Sequence, residues 1–224
     1  MTAMDRNHYI PALRYDWLTS FYDPILRWTM REPVFKRRLI EQARIAKGHR
    51  VLDLGCGTAT LTLLIRQTCP ETEVIGLDGD PAILTIAHAK AARAGLSVAL
   101  HRAMAYALPY ADASFDRVFS SLMFHHLTTA NKLRTLREAL RVLRPGGELH
   151  IADWGKPQTA LLRGAFLLVQ LLDGFATTAD NVKGLLPKLV ASAGFQDVRE
   201  SARFATPFGA LCLYRAQKPS ASVF

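Results

Sequence analysis

Residues 50–58 read Arg50-Val51-Leu52-Asp53-Leu54-Gly55-Cys56-Gly57-Thr58, a short apolar run that stops on two glycines. A run of this length, rich in Val and Leu and closed by Gly, is the pattern of a strand buried on both faces of a parallel sheet. Gly55 and Gly57 let the backbone turn tightly and approach a ligand with no Cβ in the way. A helix expected from Thr58 to Cys69 would aim its free N–H groups at the same place.

Working outward toward the C-terminus, the pattern repeats. Strands are expected at 73–78, 97–101, 115–120 and 148–152, with helices between them. One helix has clear punctuation: Asp80 as N-cap, Pro81 in the first turn, and Gly95 at the stop. Another runs from Asn131 to Leu143 and ends before Pro145-Gly146-Gly147. Two more are expected over 158–175 and 181–193, and the chain closes with strands near 196–203 and 211–216. Strands alternating with such helices mean βαβ units in an α/β fold, with a doubly wound, mainly parallel sheet of seven strands. The last two strands, joined through Thr206-Pro207-Phe208-Gly209, suit an edge hairpin, which makes the final strand antiparallel. Toward the N-terminus, residues 5–46 read as helices broken near Pro11 and at Asp23-Pro24.

Composition narrows the function classes. The 224 residues suit one compact domain with a helical extension. The three cysteines, Cys56, Cys69 and Cys212, are an odd number without close pairing, which argues against a disulfide framework and against a cysteine zinc site, so no metal is expected. No apolar leader stands in the first seventeen residues, and the greasy run from Ala160 to Phe175 is interrupted by Arg163 and Asp173, so a cytoplasmic location is expected, with peripheral membrane contact open. The net charge is +9, but the basic residues are dispersed. Arg134, Arg137, Arg141 and Arg144 recur at helical spacing, and without interleaved aromatics that stripe reads as a solvated face rather than a nucleic-acid footprint.

In an open α/β sheet, ligands bind at the carboxyl ends of the strands. The glycine turn there is not a dinucleotide fingerprint: Thr60 stands where a third Gly or Ala is required. Asp53, two residues before the first glycine, has the wrong sign for a pyrophosphate and the right sign for an ammonium group. Asp78, ending the second strand about twenty residues after the turn, suits a pair of ribose hydroxyls.

VLDLGCGT, GLDGDP, ALPYADASFDRV and LRVLRPGGEL, in this order across roughly residues 45–155, resemble the class I S-adenosylmethionine-dependent methyltransferases. More weakly, with Tyr22-Asp23 some thirty residues before the glycine turn, the chain is similar to quinone C-methyltransferases and related lipid methyltransferases. The resemblance implies a Rossmann-like methyltransferase fold, with an N-terminal helical lid over 1–46 and a cofactor-binding unit over 47–224. It implies S-adenosyl-L-methionine as cofactor and S-adenosyl-L-homocysteine as product. Asp53 with the Gly55–Gly57 backbone, including Cys56, would hold the methionine end, and Thr58 would line the same loop. Asp78 and Gly79 would lie at the ribose, Met104 and Ala105 at the adenine, and Ser121 beside the methionine. Many relatives carry Asp at the position of Met104, which hydrogen-bonds the adenine amino group; Met can only pack on the ring.

Methyl transfer needs alignment of acceptor, methyl and sulfur, and a base only where the acceptor must lose a proton. His125, His126, Asp153 and Tyr22 are the candidates for that task. As neighbours on an extended chain, His125 and His126 should point apart, leaving one toward the acceptor. Leu161, Leu162, Phe166, Leu167, Val169, Leu171 and Leu172 nearly encircle their helix, which points to a small, apolar, lipid- or quinone-like acceptor or to burial beneath the lid. An amine or phospholipid headgroup held by Tyr15, Trp17, Tyr22 and Trp28 is an alternative. So is a protein that binds the cofactor or its product without turnover. A nicotinamide enzyme fails on the glycine spacing, and an amino-base nucleic-acid methyltransferase fails on Ser120-Ser121-Leu122-Met123 after the fourth strand.

Overall fold

In a computed structural model, the structure describes residues 32–220. The elements run α1 (Glu32–Ala43), β1 (Arg50–Leu54), α2 (Thr60–Thr68), β2 (Glu73–Asp78), α3 (Pro81–Arg93), β3 (Ala99–Arg102), β4 (Phe115–Ser121), a 3-10 turn (Phe124–His126), α4 (Thr129–Val142), β5 (Leu143–Trp154), α5 (Ala160–Asp173), α6 (Phe175–Lys183), α7 (Leu186–Ser192), β6 (Gln196–Thr206) and β7 (Gly209–Gln217). One sheet holds all seven strands in the order β3-β2-β1-β4-β5-β7-β6. Strands β3 to β5 pair in parallel, whereas β7 is antiparallel to both β5 and β6. This is the expected doubly wound sheet with its closing hairpin.

The period of two along the strands decides which side chains meet. Val51, Val74 and Phe119 pack with Phe35 and Leu39 of α1 and Leu61 and Ile65 of α2. Leu52, Leu54, Ile75, Leu77 and Val118 go to the opposite face, against Leu136 and Ala139 of α4 and Leu186 and Val190 of α7. Asp53 therefore shares the α1–α2 face with Val51. In β5, Leu149 and Ile151 lie on the α4–α7 face, and Asp153 follows them.

Several boundaries differ from those expected. The first helix after the glycine turn begins at Thr60, because Ala59 adopts a left-handed conformation (φ 60°). The third strand is Ala99–Arg102 rather than 97–101. The Pro145-Gly146-Gly147 segment does not precede β5 but loops out of it, where pairing with β4 jumps from Phe115↔Leu143 to Arg117↔Glu148. Gly174 (φ 96°) ends α5 at Asp173, and Gly184 (φ 69°) separates α6 from α7. Asn181 is thus inside a helix, not at the start of one. The first helix described, α1, packs Phe35, Leu39, Ile40 and Ala43 into the core; residues 1–31 of the expected lid, including Tyr22 and the aromatics Tyr15, Trp17 and Trp28, lie outside the described residues. No helix among the described residues is long and apolar enough to cross a membrane.

The arginine stripe is not a uniformly solvated face. Arg141 binds Glu138, Asp112 and the carbonyls of Leu108 and Tyr110, Arg144 binds Asp116, and Arg134 lies 4.7 Å above the Tyr106 ring. The contacts of Arg141 with Leu108, Tyr110 and Asp112 and of Arg134 with Tyr106 fasten the 106–112 loop, which follows directly on Met104 and Ala105.

Candidate active site

The glycine turn leaves β1 at its C-terminal end, and its shape follows from its backbone bonds. The amides of Gly55 and Cys56 both donate to the Leu77 carbonyl, at 2.8 and 3.0 Å, tying the turn to the end of β2. Gly55 (φ 71°) has no room for a side chain: a Cβ would lie 2.4 Å from Met123 Cγ. Gly57 (φ 54°) differs, since a Cβ there would meet nothing within 4 Å among the described residues. Among the described residues, the turn is packed on the Gly55 side and uncovered at Gly57.

Asp53 is 1 % exposed. Its Oδ2 accepts a 2.6 Å bond from the Thr62 hydroxyl, while Oδ1 is buried and has no hydrogen-bond partner among the described residues. Burial pushes its pKa up to about 6, against the pull of the Thr62 hydroxyl and the Lys36 ammonium and with some help from Asp78. An orphaned buried carboxylate oxygen is costly and asks for a donor, best a cationic one. The α1 pair Lys36–Glu32, buried next to this site, was not expected from sequence; Glu32 Oε2 is also without a partner among the described residues.

Asp78 closes the other side of the turn. Its Oδ2 accepts from the Gly57 amide (2.9 Å) and its Oδ1 from the Asp80 amide (3.0 Å). The carboxylate is thereby fixed in orientation and keeps lone pairs for more donors. Burial raises its pKa, with the amides of Asp80 and Gly57 opposing. Asp80 caps α3 as expected, accepting from Ala82 and Ile83. Thr58 and Thr60 are both reached by Lys90 Nζ from α3, at 3.2 and 2.6 Å. The Ala103 amide donates to the Asp78 carbonyl, so Met104 and Ala105 begin beside Asp78. Met104 is half-buried, while Ala103 and Ala105 on either side pack against the core. Ser121 Oγ, at the end of β4, is buried without a partner among the described residues. Asp53, Gly57, Asp78 and Ser121 therefore end neighbouring strands β1, β2 and β4 at one edge of the sheet.

The second half of the site lies after β4. Leu122 takes a left-handed backbone (φ 56°), uncommon for a leucine, and turns the chain into the 3-10 turn. There the expectation of diverging histidines fails. A 3-10 turn does not alternate as a strand does, and the rings of His125 and His126 sit 4.0 Å apart, centroid to centroid. His125 Nδ1 meets Asp153 Oδ1 at 2.9 Å. Asp153, itself 0 % exposed, also accepts from the amides of Phe124 (2.8 Å) and Trp154 (2.7 Å) and from Asn181 Nδ2 (3.2 Å). It is a positioning group for His125 and reaches no solvent. Asp173, from the end of α5, faces both histidines: Oδ2 is 3.6 Å from His125 Nε2, and Oδ1 is 3.8 Å from His126 Nδ1.

A buried polar strut supports this arrangement. Lys132 Nζ, fully buried, donates to the Thr177 carbonyl (2.7 Å), Asp180 (3.1 Å) and Asn181 Oδ1 (3.2 Å). Asn181 in turn holds Asp153 and the Trp154 carbonyl. Lys132, Asp173 and Asn181 were not singled out from sequence. Asp173 alone left a signal, as a carboxylate interrupting an apolar run. That run forms α5, which is neither wholly buried nor wholly free. Phe166, Val169 and Gln170 are buried, whereas Leu161, Leu168, Leu171 and Leu172 line the opposite side at 82, 50, 70 and 74 % exposure.

The methyltransferase-domain family model matches residues 51–147. A demethylmenaquinone methyltransferase of Thermus thermophilus is 37% identical over 160 residues, 70% of this chain and 67% of that protein. A ubiquinone/menaquinone biosynthesis C-methyltransferase UbiE of Pseudoalteromonas translucida is 34% identical over 136 residues, 59% of this chain and 53% of that one. The chain thus spans about two thirds of the first relative and about half of the second. Among solved structures, a SAM-dependent methyltransferase from Methanosarcina mazei aligns with a TM-score of 0.65 at 20% identity, over 81% of this chain and 97% of that one, a likeness of fold.

Proposed function

Because the chain belongs to the class I S-adenosylmethionine-dependent methyltransferases, we propose that it transfers the methyl group of S-adenosylmethionine to a small, apolar, quinone-like acceptor. The residues present fit the cofactor. The observation that carries this is Asp53 Oδ1, buried and without a partner, beside a glycine whose Cα faces open space. That oxygen suits the ammonium of the methionine end, and the open face of Gly57 leaves room for its backbone. Asp78, held by two amides, suits the ribose hydroxyls, and Ser121 Oγ lies near the reacting end. Met104 and Ala105 border the base. When bound, the cofactor supplies a methyl group activated on a sulfonium.

The chain's own part is to bind, orient and exclude water. The acceptor side is assigned to the end of β4 and to α5. His126 and Asp173, with side chains 15 and 18 % exposed, border the acceptor space, and the fully buried Asp153 sets the orientation of His125. The quinone-like acceptor is supported by the names of the relatives in Thermus thermophilus and Pseudoalteromonas translucida and by the exposed leucines of α5. Those leucines suit an acceptor with a lipid tail and contact with a membrane surface.

Isothermal calorimetry with S-adenosylmethionine and S-adenosylhomocysteine tests the cofactor site. Micromolar binding is expected, weakened at least 100-fold by Asp78→Ala, since this change removes hydrogen bonds to a charged acceptor, each contributing about 1.5–3 kcal/mol. Binding indifferent to Asp78→Ala would move the cofactor elsewhere. Labelled methyl donor with reduced quinones of increasing tail length tests the acceptor: transfer rising with tail length is expected, and transfer confined to polar amines would overturn it.

A further inference from the structure

We propose that His125, His126 and Asp173 form a binding site for a divalent transition-metal ion of the zinc or cobalt type, with Asp153 as its outer partner. The inference does not depend on the identity of the methyl acceptor.

The first observation is convergence. One ligand atom from each residue lies within 4.8 Å of the others. The separations, 3.6 Å from His125 Nε2 to Asp173 and 3.8 Å from His126 Nδ1 to Asp173, are too long for hydrogen bonds. They are close to the spacing of about 3.3–3.5 Å between ligands around a tetrahedral ion with bonds of about 2.0–2.1 Å.

The second observation is hydrogen-bond logic. Asp153 is taken up by three N–H donors besides His125. A carboxylate only accepts, so His125 Nδ1 must donate the proton in that 2.9 Å contact. In the neutral ring this leaves Nε2 as an acceptor aimed at Asp173, itself an acceptor. Two lone pairs facing each other across 3.6 Å require a cation or an extra proton between them. An imidazole that donates one nitrogen to a carboxylate and offers the other to a metal is the usual carboxylate–histidine–metal arrangement.

Access fits as well. His125 is nearly closed off, but the side chains of His126 and Asp173 are 15 and 18 % exposed. An ion can enter from that side and keep one position for water or a ligand oxygen, the pattern of three-ligand sites with open coordination. Imidazole and carboxylate together, without thiolate, suit zinc, cobalt or manganese rather than a soft ion such as copper(I).

The test uses the full chain, freed of metal with a chelator and titrated with Co²⁺ alone, then with Zn²⁺. One equivalent of Co²⁺ should bind with the visible bands of a low-coordinate N/O site, and Zn²⁺ should displace it. His126→Ala and Asp173→Asn should each weaken binding by more than 100-fold, and Asp153→Asn by about 10–100-fold. Retained S-adenosylmethionine binding would show that these variants are folded. His88→Ala, which removes an exposed histidine on α3, should change nothing. Binding unaffected by His126→Ala and Asp173→Asn, or lost with His88→Ala, would overturn the site as adventitious. No Co²⁺ or Zn²⁺ binding at all would overturn it too, and would assign the space between His125 and Asp173 to a proton.

Discussion

The cofactor half and the acceptor half of the site are built by different means. In the first, Asp53, Gly55, Gly57 and Asp78 fall within 26 residues, and the backbone does most of the work: amides hold Asp78, carbonyls tie down the turn, and two glycines supply the curvature. In the second, Lys132, Asp153, Asp173, Asn181 and two histidines come from five elements, and every bond that joins them runs through at least one side chain. A turn built from local backbone depends on few distant partners. A site built from buried charges depends on every partner being present.

The largest effect that would break this contrast is at Lys132. Lys132→Met keeps the volume and removes the donor, leaving Asp180, Asn181 and the Thr177 carbonyl unanswered in the interior. Removing one member of a buried ionic cluster costs about 3–5 kcal/mol. For a chain of this size that is a fall in melting temperature of about 10 °C, at roughly 2–4 °C per kcal/mol. Thermal unfolding followed by circular dichroism measures it. A fall of less than about 3 °C would mean that the acceptor half is not held by its polar strut.

The same contrast explains what the sequence disclosed. The glycine turn, the succession of strands and helices through β5 and the Asp80 cap are legible because each is a matter of neighbours: apolar alternation, a φ that glycine favours, a side chain within three residues of the amides it caps. The closing hairpin is legible from its turn residues. The acceptor half is not. Asn181 reads by local preference as the start of a helix, yet it sits inside α6 because its amide bridges Asp153 and the Trp154 carbonyl from more than twenty residues away. The left-handed Leu122 that brings two adjacent histidines together has no marker in its side chain. Gly174, read as the interior of a greasy helix, breaks it one residue after Asp173 and so fixes where that carboxylate ends.

A smaller effect sharpens the cofactor side. Asp53 must be ionised to hold an ammonium group, and its pKa is raised to about 6 by burial. The two consequences have opposite signs. A carboxyl with a raised folded pKa binds its proton more tightly folded than unfolded. Its contribution to the stability of the free protein is therefore fully present below about pH 4 and lost as pH rises through about 6. Cofactor affinity runs the other way: it should be about tenfold weaker at pH 5 than at pH 7, as the ionised fraction of Asp53 falls. Calorimetry at the two values measures this, and Asp53→Asn should be weak at both and flat between them. Affinity in the parent that does not change across this range would remove Asp53 from the ammonium.

The smallest effect concerns Met104, the proposed neighbour of the adenine. The Ala103 amide fixes the start of this segment on the Asp78 carbonyl, and the Ala107 amide returns to the Met104 carbonyl, so the backbone at 104 is set by bonds that do not involve its side chain. The side chain is half-buried, and its alanine neighbours do the packing against the core. An aspartate can therefore take this position without unsettling the fold, and Met104→Asp should leave the melting temperature within about 2 °C, the scale of an ordinary exposed substitution. What it adds is one acceptor for the adenine amino group, a net gain of about 1 kcal/mol, or roughly fivefold tighter S-adenosylmethionine binding. The thioether gives up only soft contact with the ring in exchange. Adenine discrimination separates the two contributions: against an analogue lacking the exocyclic amine, Met104→Asp should bind no better than the parent. Equal tightening toward both ligands would mean that the new charge acts on the cofactor's cationic end and not on the base.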